Sequence, residues 1–423
     1  MTRQPRITPS EVSIAQAAKT VLPNGVALYT LASEDFEVLR ISFVFRAGSA
    51  LQQAPFSASA AANLLAEGTR GMTAREVAEQ LDYYGSWYDV NIDRDYAYIN
   101  FATLSKFFDR TLEVAEEILL RPVFPEEELR TYAAKRKQRL AIDRTKVDVE
   151  AREAFARALF GARHPYGISS DEREYDNLTR EAVADFHRRF YTAENCFVVC
   201  SGRIGEHEMQ AVGALAAQLP HGEAETAIRF PAPETTHKAF VEHPGAVQSS
   251  LRLGRLLFPR THPDFVGMQV VATALGGYFG SRLMQNLREE HGYTYGVVAA
   301  MVNFEREGYF AVAAQVGTDV TQEALTEIYR EIERLRTEPM PEEELALVKN
   351  MMTGEMMRIL DGPFGIADVT IENILCGRDN TVIGENIRRI RQMTPAEVQQ
   401  LARKYLRRED LVTVVAGAEK PRL

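Results

Sequence analysis

The sequence predicts an α+β protein made of two copies of one unit, each a mainly antiparallel sheet with helices on one face. Three observations carry that prediction. Phe124-Pro125-Glu126-Glu127-Glu128-Leu129 recurs as Met340-Pro341-Glu342-Glu343-Glu344-Leu345, an offset of 341 − 125 = 216. Leu178-Thr179 with Val183, Phe186 and Phe190 recurs as Met393-Thr394 with Val398, Leu401 and Tyr405, an offset of 394 − 179 = 215. Strands meander in pairs while helical stretches are gathered separately, as in helices layered on an antiparallel sheet. A chain of 423 residues also exceeds the roughly 250–300 residues at which single cores stop growing.

In the first copy, alternation of apolar and polar residues marks strands at Gly25–Leu31 and Val38–Arg46. Helical periodicity marks Ser57–Glu67 and Ala74–Tyr83, followed by strands at Trp87–Ile92 and Tyr96–Ala102. Phe107–Leu120 and Pro125–Leu159 are helical. In both copies of the repeated start, proline takes the first helical position and the acids face the positive end of the helix dipole. Arg180–Tyr191 is a helix leading to a strand at Phe197 that ends in Gly202, and the second copy ends likewise at Gly417. Pro220, Gly222, Pro231 and Pro233 among polar residues mark a linker. The expected organisation is therefore 1–219, a linker over 220–238, and 239–423.

Composition bounds the function. The formal net charge of −10 argues against nucleic acid or an anionic membrane as the main partner. No run reaches the 18 or more apolar residues of a membrane span, and Met1–Ile14 has no apolar core of a secretory signal. Cys196 and Cys200, two of three cysteines, lie four apart on one face of a strand and read as core residues. Without a disulfide framework the expected location is a reducing compartment, the cytoplasm. The Met351, Met352, Met356 and Met357 group has helical spacing and reads as core filler.

The stretch Leu275–Val297 reads as glycine turn, short helix, sharp stop and strand. Ser281 is the expected N-cap, Leu283 and Leu287 share a helical face, and Gly292 fits a left-handed C-cap. A strand is expected from Tyr293 onward, which would let Arg288 and Tyr295 reach one point. A guanidinium and a phenol are both donors and together could hold a carbonyl gaining negative charge. The plainer alternative is a surface ion pair of Arg288 with Glu289 or Glu290 and a half-buried strand tyrosine. Leu81–Tyr88 repeats the unit in the first copy, but Asp82 stands where Arg288 does, so the donor pair occurs once.

None of the eight histidines forms H-x-x-H, and no G-x-S-x-G elbow, P-loop or dinucleotide fingerprint is present. The pattern S-R-L-x-x-x-L-R-E-x-x-G-Y-x-Y from Ser281 to Tyr295, in a duplicated α+β chain, resembles the insulinase/pitrilysin metallopeptidases, the inverzincins. Leu22-Pro23-Asn24-Gly25, Ala47-Gly48-Ser49, Glu67-Gly68-Thr69 and His164-Pro165-Tyr166-Gly167 extend the resemblance over roughly residues 20–417. It implies a fold of the LuxS/processing-peptidase kind, with two homologous domains enclosing a chamber.

Active members of that family carry H-x-x-E-H just before a Gly-Thr pair, with a further zinc-binding glutamate downstream. Aligned on Gly68-Thr69, the motif falls on Ser59-Ala60-Ala61-Ala62-Asn63. Ser59 and Asn63 replace the histidines and Ala62 the glutamate, and a hydroxyl, an amide and a methyl cannot hold zinc or take a proton from water. Between Glu128 and Glu150, where the distal ligand is sought, only Asp143 and Asp148 are acidic. Arg288 and Tyr295 match the family's substrate-contacting pair. The resemblance thus implies the inactive-domain type: no metal or cofactor in this chain, zinc in a partner subunit, and Arg288 and Tyr295 binding a peptide carbonyl in trans. A homodimer is the other assembly, and a catalytically silent scaffold the alternative function. The family's mode of binding peptides as an added strand makes Ala246–Leu251 the candidate edge.

Overall fold

In a computed structural model, residues 14–222, 224–225 and 228–422 are described. The N-terminal stretch read for a secretory signal lies almost wholly outside them. The first sheet contains β1 (Ala18–Val21), β2 (Ala27–Ala32), β3 (Val38–Phe45), β4 (Trp87–Ile92), β5 (Ala97–Leu104) and β6 (Cys196–Gly202), in the order β1-β2-β6-β3-β5-β4. The second contains β7 (Lys238–Glu242), β8 (Gln248–Leu257), β9 (Val297–Asn303), β10 (Gly308–Gly317) and β11 (Val412–Gly417), in the order β7-β11-β8-β10-β9. In each sheet one neighbouring pair is parallel, β2 with β6 and β7 with β11, and the others are antiparallel. The two sheets thus share one topology, with β1 an addition to the first.

The duplication extends to helix lengths and caps. Helix α4 (Glu126–Asp143) and α10 (Glu342–Ile359) both have 18 residues and start 342 − 126 = 216 apart. Pro125 and Pro341 lie one position earlier than expected: each is the extended residue before the helix rather than its first residue. Helix α6 (Arg180–Phe190) and α13 (Pro395–Tyr405) both have 11 residues, capped by the hydroxyls of Thr179 and Thr394.

On one face of the first sheet, Leu39, Ile41, Phe43 and Phe45 of β3 meet Ala58 and Ala61 of α1 (Ser57–Asn63), Val77 of α2 (Ala74–Tyr84), Ile118 of α3 (Phe108–Leu120) and Phe186 of α6. Cys196, Val198 and Cys200 of β6 point into the same core. Both cysteines are free and buried, and burial pushes the Cys200 thiol up to about 12, which removes its nucleophilic form at neutral pH.

The opposite face of each sheet is covered by the other half. The sequence reads Pro125–Leu159 as one helical stretch, but the chain turns at Arg144–Lys146 and α5 (Val147–Phe160) leaves to pack on β7, β8 and β11 of the second sheet. Arg144 holds that turn through Glu172 at 2.7 Å and Glu153 at 3.3 Å. Reciprocally, α11 (Gly362–Leu375) lays Ala367 and Ile371 against Val44, Tyr96 and Val199 of the first sheet. Arg40 of β3 anchors it, donating to the Phe364 carbonyl at 3.2 Å and to Asp368 at 2.5 Å.

Two of the short motifs noted in the sequence meet where the halves join. A Cβ on Gly48 would fall 2.3 Å from the Arg94 backbone, so Ala47-Gly48-Ser49 closes directly on the β4–β5 turn. Tyr166 stacks on Phe304 of the β9–β10 turn, with ring centroids 4.3 Å apart, and donates its hydroxyl to Asp95 at 2.5 Å. Asp95 also accepts from the Glu305 backbone N–H at 2.8 Å. Arg306 pairs with Glu225 of the linker, and Arg46 with Glu305. No helix among the described residues is long and apolar enough to cross a membrane.

Candidate functional site

The helix α1 presents Ser59 and Asn63 on one side, four residues apart, while Ala62 is fully buried. Neither polar side chain is turned toward a free ligand position. Ser59 donates to the Phe56 carbonyl at 3.0 Å, and the Asn63 amide donates to the Ser59 carbonyl at 2.8 Å. The Asn63 carbonyl oxygen accepts from Arg136 of α4 at 3.0 Å. Arg136 also lies over the Tyr132 ring, 5.3 Å from its centroid. A guanidinium therefore stands where a metal ligand set would need negative or lone-pair donors. Glu67 is the acid near this helix; burial and the neighbouring Glu128 raise its pKa above the ordinary range. Asp143 is tied to Arg139 at 3.0 Å and Lys146 at 2.7 Å. No group of three or more His, Cys, Asp or Glu able to hold a metal occurs among the described residues. The side chains of Ser59, Ala62 and Asn63 do not fit a zinc ion, and the hydrogen bonds of Ser59 and Asn63 hold α1 to itself and to α4.

In the second half, Leu283 and Leu287 are fully buried, which seats the helical segment on its core. The segment is not the simple capped helix expected. Met284–Glu290 is π-helical, and Ser281 does not cap it: its hydroxyl is buried without a hydrogen-bond partner. A π-bulge inserts an extra residue per turn and is common where a helix must re-aim a side chain. Gly292 does take the left-handed conformation, at φ +66°. The strand then begins at Val297, four residues later than expected, so Tyr293 and Tyr295 lie in the preceding loop. Thr294 makes that loop, donating to the Gln315 carbonyl at 2.6 Å and accepting from the Gly296 N–H at 3.1 Å.

Arg288 and Tyr295 are brought together, but as a stack. The guanidinium carbon lies 4.7 Å from the Tyr295 ring centroid and 4.8 Å from that of Phe279. The cation is thus held between two aromatic rings, an attraction worth roughly 0.5–1 kcal/mol for each exposed pair. The ion pair with Glu289, weighed at the outset as the plain alternative, is also present at 3.3 Å. Tyr295 is 88% exposed and Phe279 59%, so the sandwich faces solvent. Phe279 was missed in the sequence because a lone aromatic in a glycine turn carries no periodic signal.

The expected peptide edge at Ala246–Leu251 is overturned. It enters β8, which lies between β11 and β10 with both sides hydrogen-bonded and no free ladder for a peptide. The ends of the sheets are β1 and β4 in the first half and β7 and β9 in the second. Of these, β4 packs against α1, and β9 directly follows the Arg288–Tyr295 loop.

Comparison with known proteins agrees with this anatomy. Residues 177–352 match the peptidase M16 inactive domain. An uncharacterized zinc protease of Streptomyces coelicolor is 21% identical over 418 residues, covering 96% of this chain and 90% of its own length. The corresponding protein of Bacillus subtilis is 21% identical over 360 residues, covering 83% and 85%. Among solved structures, a peptidase M16 inactive domain from Pseudomonas fluorescens superposes with a TM-score of 0.87 at 21% identity, covering 96% of this chain and 99% of its own. A protease from Helicobacter pylori gives 0.84 at 17% identity, covering 96% and 100%. The matched domain, the duplicated sheets and the superposed structures make the chain similar to the insulinase-like M16 peptidases, with residues 177–352 matching their inactive domain.

Proposed function

We propose that this chain is the non-catalytic subunit of a heteromeric zinc metallopeptidase and supplies Arg288 and Tyr295 to a site whose metal is held by a partner subunit. The observation that carries this reading is an asymmetry between the halves. The α1 positions are self-satisfied and cationic, whereas the Arg288–Tyr295 pair is assembled and open to solvent. A half-buried guanidinium beside an exposed phenol could donate with it to one carbonyl oxygen and stabilise it as charge develops. Peptide would add as a strand to the open edge at β4 or β9.

One observation favours the alternative, a catalytically silent scaffold of the same fold. Arg288 is already engaged by Phe279, Tyr295 and Glu289, and these contacts must be exchanged before it can bind substrate. Mixing the chain with a zinc-bearing M16 subunit decides between the two. The proposal expects peptidase activity in the mixture and none from this chain alone. Arg288→Ala and Tyr295→Phe should lower turnover by roughly 10²–10³ while assembly persists, the usual cost of losing an oxyanion donor. Full turnover in both variants would leave the scaffold reading standing.

A further inference from the structure

Of the methionine group expected to fill the core, Met352 and Met356 pack half-buried against the second core, Met357 is 42% exposed, and Met351, Met352 and Met356 line a cavity of about 370 Å³. The cavity lies between α8 (Phe265–Gly276), α10, α11 and α12 (Thr381–Gln392), and its walls include Leu360, Ile383 and Ile390. Flexible thioethers and isoleucines make an adaptable apolar surface, and the volume is in the range of small-molecule sites. At one end are Arg260 and Asn386, which also line a second cavity of about 200 Å³. That neighbour is lined by Arg260, Arg378 and Arg389 with one acid, Glu385; Arg378 pairs with Glu385 at 2.6 Å and Arg389 with Glu397 at 3.0 Å. The methionine-lined cavity therefore meets an arginine-lined one at Arg260.

Charge pairing leaves Arg260 exchangeable. It binds Glu372 at 2.6 Å, but its own side chain is 29% exposed whereas that carboxylate is 61% exposed. Glu355, the other acid of the apolar cavity, is occupied by Arg358 on its own helix. An incoming anion can replace the solvent-exposed Glu372 carboxylate like for like, without stranding a charge.

We infer that this paired cavity binds a single-chain anionic amphiphile, with its aliphatic tail among Met351, Met352 and Met356 and its head group on Arg260. The site touches the joint between the halves. Val369 and Glu372 of α11 face the cavity, while Ala367 and Ile371 of the same helix cover the first sheet. Occupancy would brace that helix from behind.

Isothermal titration of the full chain with decanoate, decanol and decyltrimethylammonium tests the assignment. Decanoate should bind once per chain, more tightly than about 1 mM, and more tightly than the cationic probe. Arg260→Gln should weaken decanoate by roughly ten-fold and leave decanol unchanged, as expected for losing one charged hydrogen bond. Glu372→Gln, which frees Arg260, should strengthen decanoate binding, a gain that damage to the fold would not produce. Ile359→Asp, at an exposed position lining the cavity, should weaken both decanoate and decanol. No saturable decanoate binding, equal binding of the cationic probe, or unchanged affinity in Arg260→Gln and Glu372→Gln would overturn the inference.

Discussion

Removing one hydroxyl, by Tyr166→Phe, tests how the halves are joined. The ring would keep its stack on Phe304, so the change isolates the hydrogen bond to Asp95. Asp95 is 8% exposed and its pKa is raised from 3.8 to about 7, first by burial, with Asp93 and Glu225 adding to the rise while the Tyr166 hydroxyl and Arg306 oppose it. Between 3.8 and about 7 the native state therefore binds more protons at this group than the unfolded chain does. The contribution is full below 3.8 and is lost as pH rises through about 7, a span on the order of 4 kcal/mol. Losing the phenol raises the Asp95 pKa further and leaves the ionised form short of a donor. The expected cost is about 2–3 kcal/mol at pH 8, where the bond is to a carboxylate, and about 1 kcal/mol at pH 5, where it is to a neutral acid. Thermal unfolding of both proteins at the two pH values reads the difference directly. An equal loss at pH 5 and pH 8 would refute the proton linkage.

Three further outcomes are expected. Ser59→His with Asn63→His should not confer zinc retention after dialysis, because Arg136 faces Asn63; adding Arg136→Glu should yield about one zinc per chain by metal analysis. His187 stacks on Tyr191 with centroids 4.7 Å apart, and burial lowers its pKa from 6.5 to about 4. It therefore contributes stability above pH 6.5 that is lost as pH falls toward 4, and His187→Phe should flatten that limb of a stability–pH curve. Tyr295→Ala should leave the melting temperature within about 1–2 °C of the parent, since the ring is 88% exposed; a large drop would mean that the stack with Arg288 and Phe279 is structural.

Much of the fold is legible because it depends on local signals. The strand at Trp87–Ile92 has the expected bounds, and α2 extends one residue beyond the expected Tyr83 to Tyr84 before the left-handed Gly85. The repeat offsets of 216 and 215 reappear in helix starts, since proline, threonine caps and first-turn acids act within one turn. The missed features are those where distant contacts overrule local preference. Tyr293–Gly296 alternates like a strand, yet Thr294 bonds to Gln315 and holds it as a loop. Met351 has core spacing, but the facing helices leave a cavity beside it.

By itself the sequence determined the duplication, the α+β class, the residue types at Ser59, Ala62 and Asn63, and the single Arg288–Tyr295 pair. These follow from residue identity and short-range periodicity, which need no partner to be read. Tertiary structure alone decided that α5 and α11 each cross to the other half's sheet, that β8 is interior, and that Arg288 is held between Phe279 and Tyr295. Apolar faces dictate burial but not against which surface, and only the closing of both halves on each other makes that choice.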